Sequence, residues 1–400
     1  MTFHALEGLR VVDLGIVTAG ATTSALLADL GADVIKVEGP AYTDPFREWT
    51  GVDPLSDWWN RSAQFRATNR NKRSVCLDLK SKTGHALFLQ LVAGADLVLE
   101  NFRCGVLERL GIGFDRLVEA NPRIILASIS SQGQTGPAAM QSSFGSTLEA
   151  SSGMAALMRY PGGRPQITGR GMNYPDQVAA LFSASAIVAA LVERRRTGRP
   201  MLLDLSQREL TAYLVGEELM AAGAGIEPRV VPSAPAPSDG IFQAADGEWV
   251  AVGWAALAPG ADLPRDAQGM ASFVARHPAA QAAQLLRQGG AAAEVAWSAG
   301  VPSDPLAPAL PAALGHDTEG HQVKGLGLRM GGQGIDEYRA APALGGDNAA
   351  VARDLLGLSP SEFEALCGQG VFAVRPAKAD KMRADALARQ SAVRAASPAG

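Results

Sequence analysis

The sequence predicts an α/β fold in which a Rossmann-like, mostly parallel sheet forms a large domain and a smaller α+β domain accompanies it. To about residue 210, short β-branched runs alternate with helical patterns, which is typical of βαβ units. The 400 residues exceed the length that one hydrophobic core usually spans. A proline-rich stretch at residues 228–237 then interrupts the pattern and indicates a linker between two domains.

The elements of the large domain follow from this alternation. Strands are predicted at residues 9–14, 33–38, 74–78, 96–100, 124–128 and 201–205. Helices are predicted at residues 21–30, 84–93, 176–194 and 206–219. Ligands of parallel α/β sheets bind beyond the carboxyl ends of the strands. We therefore expect the binding loops at residues 15–20, 101–102 and 130–136.

The predicted helix at residues 176–194 is long and apolar, and both of its ends carry signals. Arg194 to Arg196, followed by Gly198, are typical of a helix C-terminus. Asp176 opens the helix after a glycine-containing stretch, where free backbone N–H groups and the helix dipole favour a carboxylate. Two interpretations stay open on this pattern: an ordinary helix cap, which is the commoner, and a carboxylate kept ionised for catalysis.

The second half of the chain is less regular. Asp246-Gly247 between two apolar runs predicts a hairpin. Residues 255–314 are rich in alanine, glycine and proline. Ser359-Pro360-Ser361-Glu362 offers an N-cap, a first-turn proline and a capping-box glutamate for a closing helix, which Gly368 ends.

These boundaries predict an interrupted large domain. The tail is alanine-rich and basic, which is typical of a disordered terminus. The predicted parts are the first segment of the large domain (1–222), the small domain with its linkers (223–335), a return to the large domain (336–376) and the tail (377–400).

Composition argues against several classes of protein. The net charge of −4 and the pI near 5.8 provide no basic field for nucleic acid. We find no stretch of about 20 uninterrupted apolar residues and no basic, apolar leader, so we expect a cytoplasmic protein without a membrane span. Cys76, Cys104 and Cys367 form no C-x-x-C pair, which predicts neither a disulfide framework nor a zinc site.

Several short motifs stand in order along the chain. They are Leu6-Glu7-Gly8-Leu9-Arg10-Val11-Val12-Asp13-Leu14, Leu30-Gly31-Ala32-Asp33-Val34-Ile35-Lys36-Val37-Glu38, Asp44-Pro45 with Arg47, Asn71-Lys72-Arg73-Ser74, Glu100-Asn101-Phe102-Arg103, Arg109-Leu110-Gly111, Gly133-Gln134-Thr135-Gly136-Pro137, Gly198-Arg199 and Ala341-Pro342-Ala343-Leu344-Gly345. Together, at this spacing and across roughly half of the chain, they resemble the class III CoA-transferases of the CaiB/BaiF type, which include formyl-CoA transferases. Residues 255–335 match this pattern poorly.

The resemblance implies an enzyme that transfers coenzyme A from an acyl-CoA to a small carboxylic acid. The position that fits the family's covalent nucleophile is Asp176, and the reaction would pass through an aspartyl intermediate. Backbone N–H groups near Gly169 or Gly171 are candidates for stabilising the oxyanion. Coenzyme A is then a substrate, and the resemblance implies neither a metal nor a tightly bound cofactor.

The resemblance also implies which residues contact CoA. Among them, Lys72, Lys80 and Arg109 carry cations that suit phosphate oxygens. The full set is Val17, Thr18, Ala19, Lys72, Leu77, Lys80, Asn101, Phe102, Arg109 and Leu110.

Assembly is a further implication of the resemblance. Family members form interlocked dimers, which implies a homodimer here, with a heteromer containing a paralogous subunit as the alternative. The chain departs from the family's pattern at Gly39, at Cys104 and at residues 142–145, which puts the inferred acid pocket in doubt but not the nucleophile.

Three other functions are weighed against CoA transfer. An α-methylacyl-CoA racemase needs a histidine paired with an aspartate, and the segment 130–148 contains no histidine. A non-catalytic, CoA-binding partner subunit is consistent with the poorly matched segment 255–335, although the retained Asp176 argues against it. A plain Rossmann oxidoreductase is disfavoured because no G-x-G-x-x-G follows the first strand.

Overall fold

The computed structural model describes residues 4–49, 53–158, 164–168, 173–226, 240–253, 263–296, 314–335 and 337–396. The chain divides into two compact units, one of residues 1–216 with 312–400 and one of residues 217–311. The second domain was predicted at residues 223–335. In the structure, residues 312–335 belong to the first unit. The hairpin at residues 314–324 packs against the helix at residues 63–69, which belongs to the first unit.

A six-stranded parallel sheet forms the centre of the first unit, as the α/β fold class predicted. Its strands are β1 (Arg10–Asp13), β2 (Asp33–Glu38), β3 (Arg73–Cys76), β4 (Leu97–Glu100), β5 (Ile125–Ser128) and β6 (Met201–Asp204). The strand order is β3-β2-β1-β4-β5-β6, and every neighbouring pair is parallel. All six predicted strands are therefore present, each within two residues of its predicted ends.

Helices connect these strands and follow the last of them. They are α1 (Ala19–Asp29), α2 (Ala63–Asn69), α3 (Lys82–Ala93), α4 (Val106–Arg109), α5 (Phe114–Ala120), α6 (Gly145–Ser151), α7 (Met154–Leu157), α8 (Tyr174–Thr197) and α9 (Gln207–Tyr213), and α10 (Gly216–Gly223) leads from the first unit into the second. After the second unit come α13 (Asn348–Asp354), α14 (Pro360–Gly368) and α15 (Ala379–Ala396).

Two predictions about helices need correction. The helix predicted at 206–219 is two helices, α9 and α10, because Leu214 and Val215 bond backwards with tighter i to i−3 geometry and end the first one. The tail, whose composition suggested disorder, contains α15. The closing helix α14 has the predicted form, and Ser359 and Glu362 exchange both bonds of the capping box.

Side chains of the parallel strands alternate between two buried faces. Val12 and Ile35 pack on one face with residues of α3, α5 and α13. Val11 and Val34 pack on the opposite face with residues of α1 and α8. Burial on both faces is why these strands read as nearly continuous apolar runs in the sequence.

The sheet reverses its winding at β1, which pairs with β2 on one side and with β4 on the other. The helix that follows β1, α1, packs on one face of the sheet and the helix α5 that follows β4 packs on the other, and doubly wound sheets of this topology have a crevice at the carboxyl edge where the winding reverses. Ligands of doubly wound sheets bind at such a switch point. The predicted binding loops at 15–20 and 101–102 both lie here.

Helix α8 is long and apolar enough, by length and composition, to cross a membrane. It packs against α1 and against β5 and β6, and Ala179 and Ile187 on its inner face are fully buried. These contacts are those of a core helix.

The second unit is a small α+β structure. Strands β7 (Gly240–Gln243) and β8 (Trp249–Gly253) form the hairpin predicted around Asp246-Gly247, and β9 (Ala292–Val295) adds a third antiparallel strand. Helices α11 (Ala267–Val274) and α12 (Ala279–Gln288) cover one face and share a core with the sheet. A separate hairpin, β10 (Leu314–His316) and β11 (Gln322–Lys324), belongs to the first unit. The predicted linker at 228–237 lies outside the described residues.

Candidate functional site

The loop between β1 and α1 holds an unusual backbone conformation. Val17 has a φ of 57°, in the left-handed region, which a β-branched residue rarely adopts. Such a conformation costs about 1–3 kcal/mol and persists where surrounding contacts enforce it. The Val17 N–H donates to Asp44 Oδ1 at 3.1 Å, so a buried carboxylate fixes the loop from below.

Asn101 directly follows β4, and its side chain also holds the β1 loop in place. Its Nδ2 donates to the Ile16 carbonyl at 3.0 Å, and its Oδ1 accepts the Ile16 N–H at 2.8 Å. A Cβ on Gly20 would lie 2.4 Å from Asn101 Oδ1, so this approach requires glycine. Asn101 was predicted to contact CoA, and in the structure both polar atoms of its amide are engaged in shaping the loop.

Buried charges lie beneath the loop. Lys36 Nζ donates to the Gly15 carbonyl at 2.5 Å and lies 3.1 Å from Asp44 Oδ2. The Gly15 N–H donates to Asp13 Oδ1 at 2.8 Å. The side chains of Asp13, Lys36 and Asp44 are almost completely buried, so the loop packs against a hydrogen-bonded network inside the protein.

A second ion pair supports Asp44. Arg47 donates to both oxygens of Glu38, at 2.8 and 2.7 Å, and Glu38 Oε1 also accepts the Asp44 N–H at 2.9 Å. Burial alone would raise the pKa of Glu38, but the Arg47 guanidinium outweighs it and holds that pKa below its usual value. The motif around Asp44 and Arg47 therefore has a structural explanation, which is to support the β1 loop.

Asp176 lies in the first turn of α8, close to the first turn of α1. The backbone N–H groups of Ala19, in the first turn of α1, and of Asp176 itself lie close to this carboxylate and favour its ionised form. A Cβ on Gly145 would lie 3.1 Å from Asp176 Oδ2, so the start of α6 approaches the carboxylate closely.

The Asp176 side chain is half-buried, neither sealed in the core nor fully solvated. Burial raises its pKa to about 6, against the opposing effect of the two backbone N–H groups. At neutral pH the carboxyl is therefore mostly ionised and poorly hydrated, which suits a nucleophile. Local pattern could not decide between a helix cap and a catalytic group; the contact with Ala19 from a different helix goes beyond simple capping.

Part of the predicted oxyanion site is not described. Gly169 and Gly171 lie outside the described residues, so their role stays a prediction. The segment before them is anchored by Glu149 of α6, which is buried and accepts the Thr168 N–H at 2.7 Å. On the other side, Asn173 Nδ2 donates to Thr18 Oγ1 at 3.3 Å and joins α8 to the β1 loop.

The predicted CoA contacts divide into two groups. Val17, Thr18, Ala19, Asn101 and Phe102 come together at the switch point. The Phe102 N–H donates to Glu100 Oε2 at 2.7 Å, and burial raises the pKa of Glu100 to about 7. Lys80 and Arg109 are exposed cations, and Leu110 is half-buried against the core beside them in the loop that follows α4.

Two of the residues predicted to contact CoA, Leu77 and Lys72, are buried. Leu77 is fully buried in the core, where its N–H donates to the Glu38 carbonyl. Lys72 is buried, and its ammonium donates to Asp13 Oδ2 at 3.0 Å, to the Ala21 carbonyl at 2.8 Å and to Asn69 Oδ1 at 2.8 Å. An ammonium has three protons. All three are used, which leaves none for a phosphate.

Comparison with known proteins shows what the chain is similar to. Residues 6–348 match the family model described as CoA-transferase family III. A succinyl-CoA–D-citramalate CoA-transferase from Chloroflexus aurantiacus is 37% identical over 259 residues, 62% of this chain and 61% of that protein. A succinyl-CoA–L-malate CoA-transferase alpha subunit from Chloroflexus aurantiacus is 35% identical over 62% of this chain and 58% of its own length.

A solved structure is similar over more of the chain. A CaiB/BaiF family protein from Brucella suis has a TM-score of 0.74 and 27% identity, and the match covers 88% of this chain and 99% of that one. By contrast, the chain spans only 58% to 61% of the length of the two curated relatives.

Proposed function

This chain belongs to CoA-transferase family III, and we propose that it transfers coenzyme A from an acyl-CoA thioester to a carboxylic acid through a covalent intermediate on Asp176. The observation that carries the proposal is the position of the Asp176 carboxylate, half-buried where the N-termini of α1 and α8 meet. It adjoins the switch-point crevice, because Ala19 directly follows the β1 loop.

In the proposed reaction an Asp176 oxygen attacks the thioester carbonyl carbon, the C–S bond breaks, and a mixed anhydride and a CoA thiolate form. The thiolate then attacks the aspartyl carbonyl carbon, which gives an aspartyl-CoA thioester and releases the donor acid as a carboxylate. The acceptor carboxylate attacks the carbonyl carbon of this thioester, the C–S bond breaks, and a second anhydride forms with release of the CoA thiolate. The thiolate finally attacks the acceptor's carbonyl carbon, which releases the new acyl-CoA and restores Asp176. Each step keeps the energy of the thioester in a covalent bond.

The Ala19 N–H has a place in this scheme. It lies close to the carboxylate before the reaction, and in the acylated enzyme it would be placed to donate to the aspartyl carbonyl oxygen. Negative charge develops on that oxygen when the thiolate attacks, and a preorganised backbone donor stabilises it. The contacts that Asp44 and Asn101 make with Val17 and Ile16 would keep this donor in position.

We propose that CoA binds along the crevice between the β1 and β4 loops, with Lys80 and Arg109 as phosphate partners. Both cations are exposed, and no carboxylate among the described residues forms an ion pair with either. Lys72 and Leu77 are left out of this proposal because both are buried. Coenzyme A acts here as a substrate that leaves after each cycle.

The relatives' names suggest which acids to test first. Both curated relatives are named for succinyl-CoA as donor, with citramalate or malate as acceptor. We propose succinyl-CoA and a small hydroxylated or unsubstituted dicarboxylic acid as the first pair for assay.

Chemical trapping tests the covalent step. The chain is incubated with succinyl-CoA, treated with hydroxylamine and digested, and the peptides are analysed by mass spectrometry. We expect a hydroxamate on Asp176, because hydroxylamine attacks aspartyl anhydrides and thioesters but not a free carboxylate. A sample without succinyl-CoA is the control. Transfer of CoA with an unmodified Asp176, or with a hydroxamate on another residue, would refute the assignment.

We also propose that two copies of the chain associate, and the surface of α8 supports this. Leu181, Val188 and Val192 lie one helical turn or two apart on one face, and they are 58%, 37% and 67% exposed. Tyr213, 72% exposed, extends the apolar surface from α9. Contiguous apolar surface of this kind marks interaction sites. A heteromer remains the alternative, since one relative is named as an alpha subunit.

Light scattering after size-exclusion chromatography measures the association. A mass near twice 41.6 kDa is expected for the unaltered chain, and the double variant Val188→Glu, Val192→Glu is expected to elute as a monomer, because charges on the apolar face oppose its burial. Arg195→Gln, an exposed change in the last turn of α8, serves as the control. A monomeric unaltered chain would contradict the homodimer and would turn attention to a heteromeric partner.

A further inference from the structure

Lys324 is the last residue of β11, in the segment 255–335, where the sequence matches the family's motifs poorly. Its neighbour Val323 is buried, while Gln322 and Lys324 lie on the exposed face of the strand. The Lys324 ammonium donates to Gln177 Oε1 on α8. A hairpin remote in sequence therefore reaches the first turn of the helix that carries Asp176.

Gln177 directly follows Asp176, and both lie on the helix side that faces the β1 loop and the hairpin. Asn173, Asp176 and Gln177 are spaced i, i+3 and i+4, which places them on one face of α8. Asn173 contacts Thr18, Asp176 contacts Ala19 and Gln177 contacts Lys324. The ammonium is thus held by a neutral amide on the residue that directly follows the proposed nucleophile.

The charge of Lys324 has no counter-ion in the part of the chain that the structure describes. No carboxylate there lies within ion-pair distance of its Nζ. The charged side chain that acts on it is a cation, Arg70, which is already paired with the buried Asp29. Partial burial, and then the charge of Arg70, lower the pKa of Lys324. A bound anion would pair with the Lys324 ammonium and so offset the unfavourable effects of burial and of the Arg70 charge.

We propose that Lys324 binds the second carboxylate of a dicarboxylic acid substrate and so determines which acids the enzyme accepts. The inference rests on the proposed function, because it is the acid bound to Asp176 that would extend toward Lys324. An ammonium has three protons, so Lys324 keeps its bond to Gln177 and still donates to a carboxylate. A monocarboxylic acid lacks the group that Lys324 binds, and it gains nothing from the contact.

Transfer of CoA from acetyl-CoA is measured with succinate and with propionate as the acceptor. Because acetyl-CoA has no second carboxylate, a difference between the two acceptors reports on the second carboxylate of the acceptor and not on binding of the donor. In Lys324→Gln, the KM for succinate is expected to rise about 10- to 100-fold, the effect of losing one charged hydrogen bond, while kcat and the KM for propionate change less than about twofold. Lys324→Arg keeps a cation and is expected to recover most of the affinity for succinate. Gln322→Ala, on the same exposed face of β11, is the matched control. Equal losses with both acids, or no loss with either, would overturn the assignment.

A second measurement does not depend on catalysis. Lys324 of the unaltered chain is acetylated with an N-hydroxysuccinimide ester, and the modification is followed by mass spectrometry with exposed Lys82 as the internal reference. Succinate is expected to slow modification of Lys324 at least about fivefold, and propionate is not. A chain that transfers CoA to no acid but shows this protection would contradict the proposed function alone. Equal protection by the two acids, or none, contradicts the role of Lys324 alone.

Discussion

Replacing Asp176 with asparagine is expected to lower the rate of CoA transfer at least about a thousandfold, because an amide forms neither the anhydride nor the thioester. Asparagine has nearly the same shape, and its side-chain oxygen keeps a position close to the Ala19 N–H. Removing a carboxylate whose charge is disfavoured by burial does not weaken the fold. The loss is therefore expected in the rate, which a coupled assay with succinyl-CoA measures.

Asp115→Asn is the matched control for this variant. Asp115 also lies in the first turn of a helix, α5, but it is exposed, and α5 packs on the opposite face of the sheet from α1 and α8. We expect transfer by this variant to equal that of the unaltered chain. Binding of CoA to Asp176→Asn, measured by titration calorimetry, is expected to stay within about threefold, since the carboxylate is proposed to react with the thioester and not to hold the nucleotide. Undiminished transfer by Asp176→Asn would remove the basis of the covalent mechanism.

The sequence predicted the strands and helices around this site and the position of Asp176, but not the hydrogen bonds between its side chains and loops. The order of strands and helices follows from local periodicity, and so does the position of Asp176 at the start of α8. Its contact with Ala19 depends on how α1 and α8 pack, which no local pattern records. Asp44 and Asn101 stood out only as members of short motifs, although their bonds to Val17 and Ile16 shape the loop.

One signal of the buried charges was present in the sequence. Lys36 and Glu38 interrupt an apolar strand that, in a parallel sheet, has both faces covered. A charge at such a position must be paired inside the protein. Lys324 offered no comparable signal, because its partner Gln177 is 147 residues away and its own segment matches no motif.

Lys72 shows that a residue carried over from a resemblance as a ligand contact can also have a structural role. It lies in a polar stretch before β3 and reads as a solvated cation, yet its three acceptors come from β1, α1 and α2. Burial lowers the pKa of Lys72 to about 8, with the charge of Asp13 opposing that shift, so the ammonium stays protonated at neutral pH. The residue therefore joins three elements beneath the β1 loop.

Lys72→Met is accordingly expected to lower the free energy of unfolding by about 3–5 kcal/mol, because it leaves the buried Asp13 carboxylate without its ion-pair partner. The midpoint of urea unfolding, followed by circular dichroism, measures the loss. Lys80→Met, which alters an exposed lysine, is expected to leave the midpoint unchanged and to weaken CoA binding instead.

The double variant Asp13→Leu, Lys72→Met distinguishes an unpaired charge from lost packing. It removes both members of the pair, so most of the stability is expected to return, since a buried ion pair and an apolar pair of similar volume differ little. The Gly15 N–H loses its acceptor in this variant, and the Ser24 hydroxyl keeps only the Gly20 and Ala21 carbonyls, which limits the recovery. If Lys72→Met instead unfolds at the unaltered midpoint and binds CoA weakly, then Lys72 leaves its three acceptors for a phosphate in solution, and the loop is supported by Lys36 and Asp44 alone.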